Sequence, residues 1–240
     1  QTQIWEAPQV ADRAEVEPLL ATGWRYPEPF KAKGRDGTTD IYGLIWRPTN
    51  FDPSKRYPVI EQIYTGPHSA FVPKTFAAFR NHAQAMAELG FITVFIDGMG
   101  TAWRSKAFHD VSWKNLGDGG MAEHIGMIRA MAARYPHMDL TRVGIFGHSA
   151  GGYDSTHAIL THPDFYKVAV SSAGNHDHRM DKAVWNEQWM GWPIDTHYIE
   201  QSNYTAAPRL AGKLLLAHGE QRHEQQPRQR TGQEHEQLLV

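Results

Sequence analysis

The sequence predicts an α/β fold with a mostly parallel, doubly wound sheet, and three observations carry that expectation. Short apolar runs of strand length alternate with segments of helix-forming residues, the order that lays helices over both faces of a parallel sheet. The partly β-branched run Val143–Phe146 leads without a gap into Gly147–His148–Ser149–Ala150–Gly151–Gly152–Tyr153, and then into a helical stretch from Asp154 to Leu160. Finally, Tyr64, Asp97, Ser149 and Gly219 all close strand-like runs, and in such sheets the chemistry gathers at the carboxyl ends of the strands.

Taken in order, residues 1–22 mix polar side chains with two prolines and show no period, which reads as a linker or the remnant of an upstream domain. Tyr26–Lys33 and Ile41–Arg47 are strand-like and meet through Gly34–Arg35–Asp36–Gly37, a hairpin pattern. Tyr57–Tyr64 is the next strand and runs into Thr65–Gly66–Pro67–His68. Thr75 to Gly90 is rich in helix formers with apolar residues at helical spacing; Thr75 can cap it and Gly90 can end it. Phe91–Asp97 is a nearly continuous apolar strand, and Met121–Arg134 a further helix, closed by Tyr135–Pro136. Lys167–Ser172 and Lys213–Gly219 complete the strands. The expected organisation is a linker over 1–22, one incomplete domain over 23–220 whose sheet stops at Gly219, and an atypical polar tail over 221–240.

Composition narrows the possibilities. The chain has 240 residues, 41% of them hydrophobic, 21% charged, with a net charge of −2. That is enough for one buried core, and it gives no electrostatic pull toward nucleic acid or an acidic membrane. Zero cysteines exclude disulfides, thiolate nucleophiles and cysteine-ligated metals. No apolar run nears the ~20 residues that a membrane-spanning helix needs. The chain opens with Gln1 rather than Met, so periplasm and cytoplasm both stay open, as does the oligomeric state.

The chemistry centres on Gly147–x–Ser149–x–Gly151. Strand, glycine-flanked serine and helix in that order is the nucleophile elbow of α/β-hydrolases. A sharp turn pushes the serine hydroxyl out above the sheet, and the glycines remove the Cβ atoms that would collide there. The start of the following helix offers N–H groups and its positive dipole end to a developing oxyanion.

Five motifs in order resemble the catalytic domain of the prolyl oligopeptidase family of serine peptidases, in its dipeptidyl-peptidase IV branch. Tyr64–Thr65–Gly66–Pro67 resembles the family's Tyr-Ala-Gly-Pro, and Asp97–Gly98–Met99–Gly100 its Asp-Gly-Arg-Gly. Gly147–Tyr153 matches its elbow, Met190–Gly191–Trp192–Pro193 resembles its Met-Gly-x-Pro, and Leu214–Gly219 its Leu-Leu-x-His-Gly strand end. The resemblance implies an α/β-hydrolase fold, a peptide substrate, a propeller domain upstream, and no cofactor or metal. By position it implies Ser149 as nucleophile, with the Ala150 N–H and the Tyr64 hydroxyl as the oxyanion hole. The family's aromatic pockets make Trp185 a candidate pocket wall, against the plainer reading of a core tryptophan.

Departures from the pattern bear on activity. Ala150 stands where dipeptidyl-peptidase IV has Tyr, so a proline-shaped pocket is not implied. The family reads His-Gly-x-x-Asp at the last strand end; here His218–Gly219 is followed by Glu220–Gln221–Arg222, so Arg222 occupies the acid's place. No catalytic acid or histidine is identifiable up to Val240. The stretch from Gln221 to Gln237 has no apolar residue where a packed helix is expected. A one-nucleotide reading-frame slip near Glu220 would account for both features. The expected outcome is a peptidase domain that is inactive as this isolated chain; the rivals are an esterase or lipase of the same fold and a catalytically dead binding domain.

Other candidates carry less. The chain has 14 histidines, but Asn175–His176–Asp177–His178 cannot converge on a tetrahedral ion unaided and reads as a solvated loop. His148 should point away from its neighbour Ser149. His124 and the remaining histidines read as surface or helix-face residues. Asp97 is expected to shape its glycine-rich loop and Asp118 to cap a helix.

Overall fold

The computed structural model describes residues 15–74, 82–219 and 236–239. In chain order the elements are α1 (Glu17–Ala21), β1 (Glu28–Lys33), β2 (Asp40–Trp46), β3 (Tyr57–Gln62), α2 (Ala83–Glu88), β4 (Ile92–Asp97), α3 (Lys106–His109), α4 (Met121–Arg134), β5 (Met138–His148), α5 (Ala150–Thr161), β6 (Val168–Ser172), α6 (Ala183–Met190), α7 (Thr196–Glu200), α8 (Asn203–Ala206), β7 (Lys213–Gly219) and β8 (Glu236–Leu239). The strands form one sheet in the order β1-β2-β4-β3-β5-β6-β7-β8. The five strands from β4 to β7 run parallel, while β1, β2 and β8 are antiparallel to their neighbours. This is the doubly wound α/β arrangement that the alternation of strands and helices predicts.

Side-chain alternation sorts the two faces. On β2 and β4, Ile41, Ile45, Ile92, Val94 and Ile96 point into the main core with Met127, Ile128 and Met131 of α4 and Ile159 of α5. Trp46 and Phe95 point the other way, onto Ala83 and Ala87 of α2. Every residue of β4 is buried, as a strand covered on both faces must be. Each such aliphatic side chain withdrawn from water contributes about 1.5–3 kcal/mol, so the two clusters fix the register of the strands that carry the site.

Several expectations need correction. The helix expected over 75–90 is seen as α2, and its 75–81 portion lies outside the described residues. The strand expected at Val143–Phe146 starts earlier, at Met138, with a register break opposite Pro58/Val59. The helix placed from Asp154 begins at Ala150, because Gly151 and Gly152 lie inside its first turn rather than before it. The short helices α3, α6, α7 and α8 occupy stretches too brief to show a period. Beyond Gly219 one further strand, β8, pairs with β7 from Leu216↔Leu239 to Gly219↔Glu236. The rest of the tail, including Arg222, and residues 1–14 of the expected linker lie outside the described residues.

A hairpin residue secures the loop in front of α4. Arg35 donates to both carboxylate oxygens of Asp118 at 2.6 Å, and to both of Glu123 at 2.6 Å. Asp118 is therefore an ion-pair partner and not the helix cap expected of it; the N-cap position is Gly120, which has no side chain to cap with.

Candidate active site

Ser149 follows the last residue of β5 and occupies the N-cap position of α5 with φ 58° and ψ −119°. A non-glycine residue there is strained, and it persists only where the surroundings over-determine it. Here they do. The Ser149 amide donates to Ser172 O at 2.8 Å, and Tyr153 N closes the first helical turn on Ser149 O at 3.0 Å. A Cβ at Gly147 would lie 2.3 Å from Gly151 O, and one at Gly151 would lie 2.2 Å from Ile63 O. Strand, turn and helix thus close on one another only through the two glycines. An N-cap serine ordinarily spends its hydroxyl on the helix amides; Ser149 makes no such capping bond.

The hydroxyl's surroundings form a cavity of about 530 Å³ at the carboxyl ends of the parallel strands. Ser149, Ala150, Tyr64 and Trp185 all line it, with Asp154, His176, His178 and His218. Tyr64 is half-buried, its ring 4.9 Å from Phe71 and 5.5 Å from His68. His68 in turn meets the ring of Trp185 at 4.8 Å, so the phenol and the tryptophan belong to one aromatic wall. Burial lowers the His68 imidazole below its ordinary pKa, which keeps that wall uncharged at neutral pH. Trp185 is half-buried and faces the cavity rather than filling a core.

The histidines near Ser149 are engaged elsewhere. His148 is exposed, with Nδ1 3.1 Å from the Ser172 hydroxyl. His176 lies 3.4 Å from Ser171 Oγ and 3.1 Å from Asn203 Nδ2. His178 has Nδ1 3.2 Å from Asn175 Nδ2, and its backbone N–H donates to Ser202 Oγ at 3.0 Å. The segment 175–178 is therefore no solvated loop: His178 is 2% exposed and its ring lies 4.7 Å from that of Tyr153. Among the described residues no group of three His, Asp or Glu side chains is placed to hold a metal ion.

Three polar assignments differ from expectation. His124 is fully buried, not at the surface; it bonds Glu61, which also accepts from the Tyr166 hydroxyl at 2.6 Å. Asp97 accepts the amides of Phe71 and Val72 at 2.7 and 3.1 Å and pairs with Lys74 at 3.0 Å. It thus holds down the loop after Tyr64 rather than its own glycine-rich loop. Asp154, which sequence reasoning passed over, accepts the Thr65 amide at 3.2 Å inside the cavity wall. These partners are distant in sequence, and no local signal announces them.

Burial holds the His178 pKa down to about 4, from an ordinary 6.5. The folded state thus keeps the ring neutral while the unfolded chain protonates it, so stability present above pH 6.5 is lost as the pH falls toward 4. The expected loss from this residue is about 3 kcal/mol, at about 1.4 kcal/mol per unit. His157 and His176, also lowered by burial, add in the same direction. Urea unfolding at pH 7, 5.5 and 4 checks this: His178→Asn should flatten the acid decline, and an unchanged slope would remove His178 from the account.

Comparisons with known proteins find relatives over most of the chain. The prolyl oligopeptidase family model matches residues 77–229. Human dipeptidyl peptidase 8 is 30% identical over 202 residues, covering 80% of this chain and 22% of its own length. The crystal structure of Porphyromonas gingivalis dipeptidyl peptidase 4 superposes with a TM-score of 0.72 at 27% identity, over 80% of this chain and 27% of that one. A structure assigned as a dipeptidyl aminopeptidase IV from Bacteroides ovatus gives 0.75 at 30% identity, over 82% and 28%. The chain thus spans about a fifth of the length of the curated relatives it matches.

Proposed function

The chain belongs to the prolyl oligopeptidase family, and from that premise we propose that it carries the nucleophile and oxyanion hole of a serine peptidase. Ser149 Oγ attacks the scissile carbonyl carbon, its proton leaves to a base, and the carbonyl oxygen takes up the negative charge. The Ala150 N–H, at the positive end of α5, and the Tyr64 hydroxyl donate to that oxygen. Collapse expels the amine after it is protonated, leaving an acyl-enzyme on Ser149 that water hydrolyses. The observation that carries this reading is the strained Ser149 backbone, which frees the hydroxyl from capping on a cavity that Tyr64 also lines. Peptides are the substrate class; a cavity of about 530 Å³ with Trp185 in its wall suits an apolar side chain next to the scissile bond.

The domain reading stands as part of the same proposal. Residues 23–220 form the peptidase unit, 1–22 lead into it from a propeller-type partner domain, and 221–240 are an atypical polar tail of which Glu236–Leu239 pairs with β7 as β8. Within these 240 residues the acid position holds Arg222, and no described imidazole is bonded to Ser149. The chain assayed alone therefore hydrolyses peptides poorly or not at all. The binding-domain reading draws on the same absence.

A fluorophosphonate probe discriminates them. Expressed with whatever coding sequence flanks these 240 codons, the protein should label stoichiometrically at Ser149, while the 240-residue chain should label weakly. No labelling in either form would establish the binding domain; stoichiometric labelling of the short chain would overturn its inactivity.

A further inference from the structure

Asp154 lies in α5, five residues beyond Ser149, and is 5% exposed. Its Oδ2 accepts the backbone N–H of Thr65 at 3.2 Å, and Thr65 directly follows Tyr64. The helix that follows Ser149 thus reaches across and grips the peptide that carries the phenol. Gly151, one turn earlier, lets Ile63 O approach the same helix so closely that no Cβ fits between them. Nucleophile and phenol are therefore tied together on the inner side of the cavity by one backbone contact and one buried hydrogen bond. No cation pairs with Asp154 among the described residues, and burial, opposed by the Thr65 hydrogen bond and helped by Glu61, holds its carboxyl well above the usual carboxylate range. The group's role in the wall is that of a hydrogen-bond acceptor to the Thr65 amide.

We propose that Asp154 is a positioning residue that sets the Tyr64 hydroxyl over the carbonyl attacked by Ser149. The proposal rests on the assignment of Ser149 and Tyr64 above, and it concerns a residue of the cavity wall that acts through the Thr65 amide on Tyr64. A side chain that anchors the oxyanion donor affects the barrier far more than ground-state binding, because the donor's full strength is felt only as charge develops.

The test uses the protein with its flanking coding sequence and follows acylation by an activated peptide ester. Tyr64→Phe should slow acylation by about 10²–10³-fold. Asp154→Leu, which deletes the acceptor, should lower kcat by about 10–100-fold with little change in KM. Asp154→Asn keeps an acceptor oxygen for the Thr65 amide and should stay within about threefold of wild type, since the hydrogen bond is what positions Tyr64. Asp154→Leu combined with Tyr64→Phe should be no slower than Tyr64→Phe alone, which a purely structural role would not produce. Hydrogen exchange at the Thr65 amide should lose protection in the Leu variant and keep it in the Asn variant. Should the Leu variant fail to fold, Asp154→Ala takes its place in the same cycle. An Asn variant as slow as the Leu variant, a fully additive double mutant, or a Leu variant at full rate would each overturn the proposal. Full activity in Tyr64→Phe or in Ser149→Ala would instead overturn the underlying site.

Discussion

Gly151→Val is expected to yield no folded protein. The new Cβ would lie 2.2 Å from Ile63 O and 3.3 Å from Tyr64 Cα, both backbone atoms. Neither can turn aside as a side chain would. Ile63 is itself pinned, because its amide donates to Phe146 O at 2.9 Å across the centre of the sheet. Moving either strand would break that pairing and displace the elbow together with Tyr64. Overpacking of flexible side chains costs about 1–3 kcal/mol, and a collision between fixed backbones belongs among the rare effects above about 4 kcal/mol. Domains of this kind hold only about 5–15 kcal/mol in total. Gly126→Ala supplies the control: a Cβ there meets nothing within 4 Å, in the middle of α4. It should gain about 0.5–1 kcal/mol from helix propensity. Circular dichroism and urea unfolding of both variants check the pair; a Gly151→Val protein with a wild-type midpoint would mean that the elbow is not packed as described.

Ser149→Ala is expected to have the largest effect on activity with almost none on stability. In the protein with its flanking coding sequence, kcat should fall by about 10⁴–10⁶-fold, leaving the residual rate that an oxyanion hole and binding alone provide. Stability should stay within about 0.5 kcal/mol, because the Ser149 hydroxyl caps no helix amide and its removal opens no cavity in the core. The two readouts separate a nucleophile from a structural serine. Loss of both together would point to a fold defect, and loss of neither to a reaction run elsewhere on the protein.

The parts of this fold that were legible in the sequence are those written in short-range pattern. The strand-like runs at Ile41–Arg47 and Phe91–Asp97, the hairpin across Gly34–Gly37 and the elbow each need only a dozen neighbouring residues to be recognised. The elbow is the clearest case, because Gly147, Ser149 and Gly151 stand within five residues, although the atom that demands Gly151, Ile63 O, lies 88 residues away. What stayed hidden is set by partners distant in the chain. His124 looked like a helix-face residue because Glu61, which draws it into the core, lies 63 residues away. Asp118 looked like a cap because Arg35, which claims both its oxygens, lies 83 residues away. Asp154 looked like an ordinary position in an early helical turn, and only the approach of the Thr65 amide, 89 residues distant, gives it a task. His178 sat in a polar tetrapeptide whose burial depends on Tyr153, Asn186 and Ser202 closing around it.

The central claim is that the hydroxyl at position 149 forms a covalent bond to the substrate's acyl group at the mouth of the Tyr64-lined cavity. Rapid acid quench of the flanked protein with an activated peptide ester, followed by digestion and mass spectrometry, measures this directly. The expected result is an acyl adduct on the peptide containing Ser149, at close to one per protein, formed in a burst before steady turnover. Steady turnover with no adduct, or an adduct on any other residue, would contradict it.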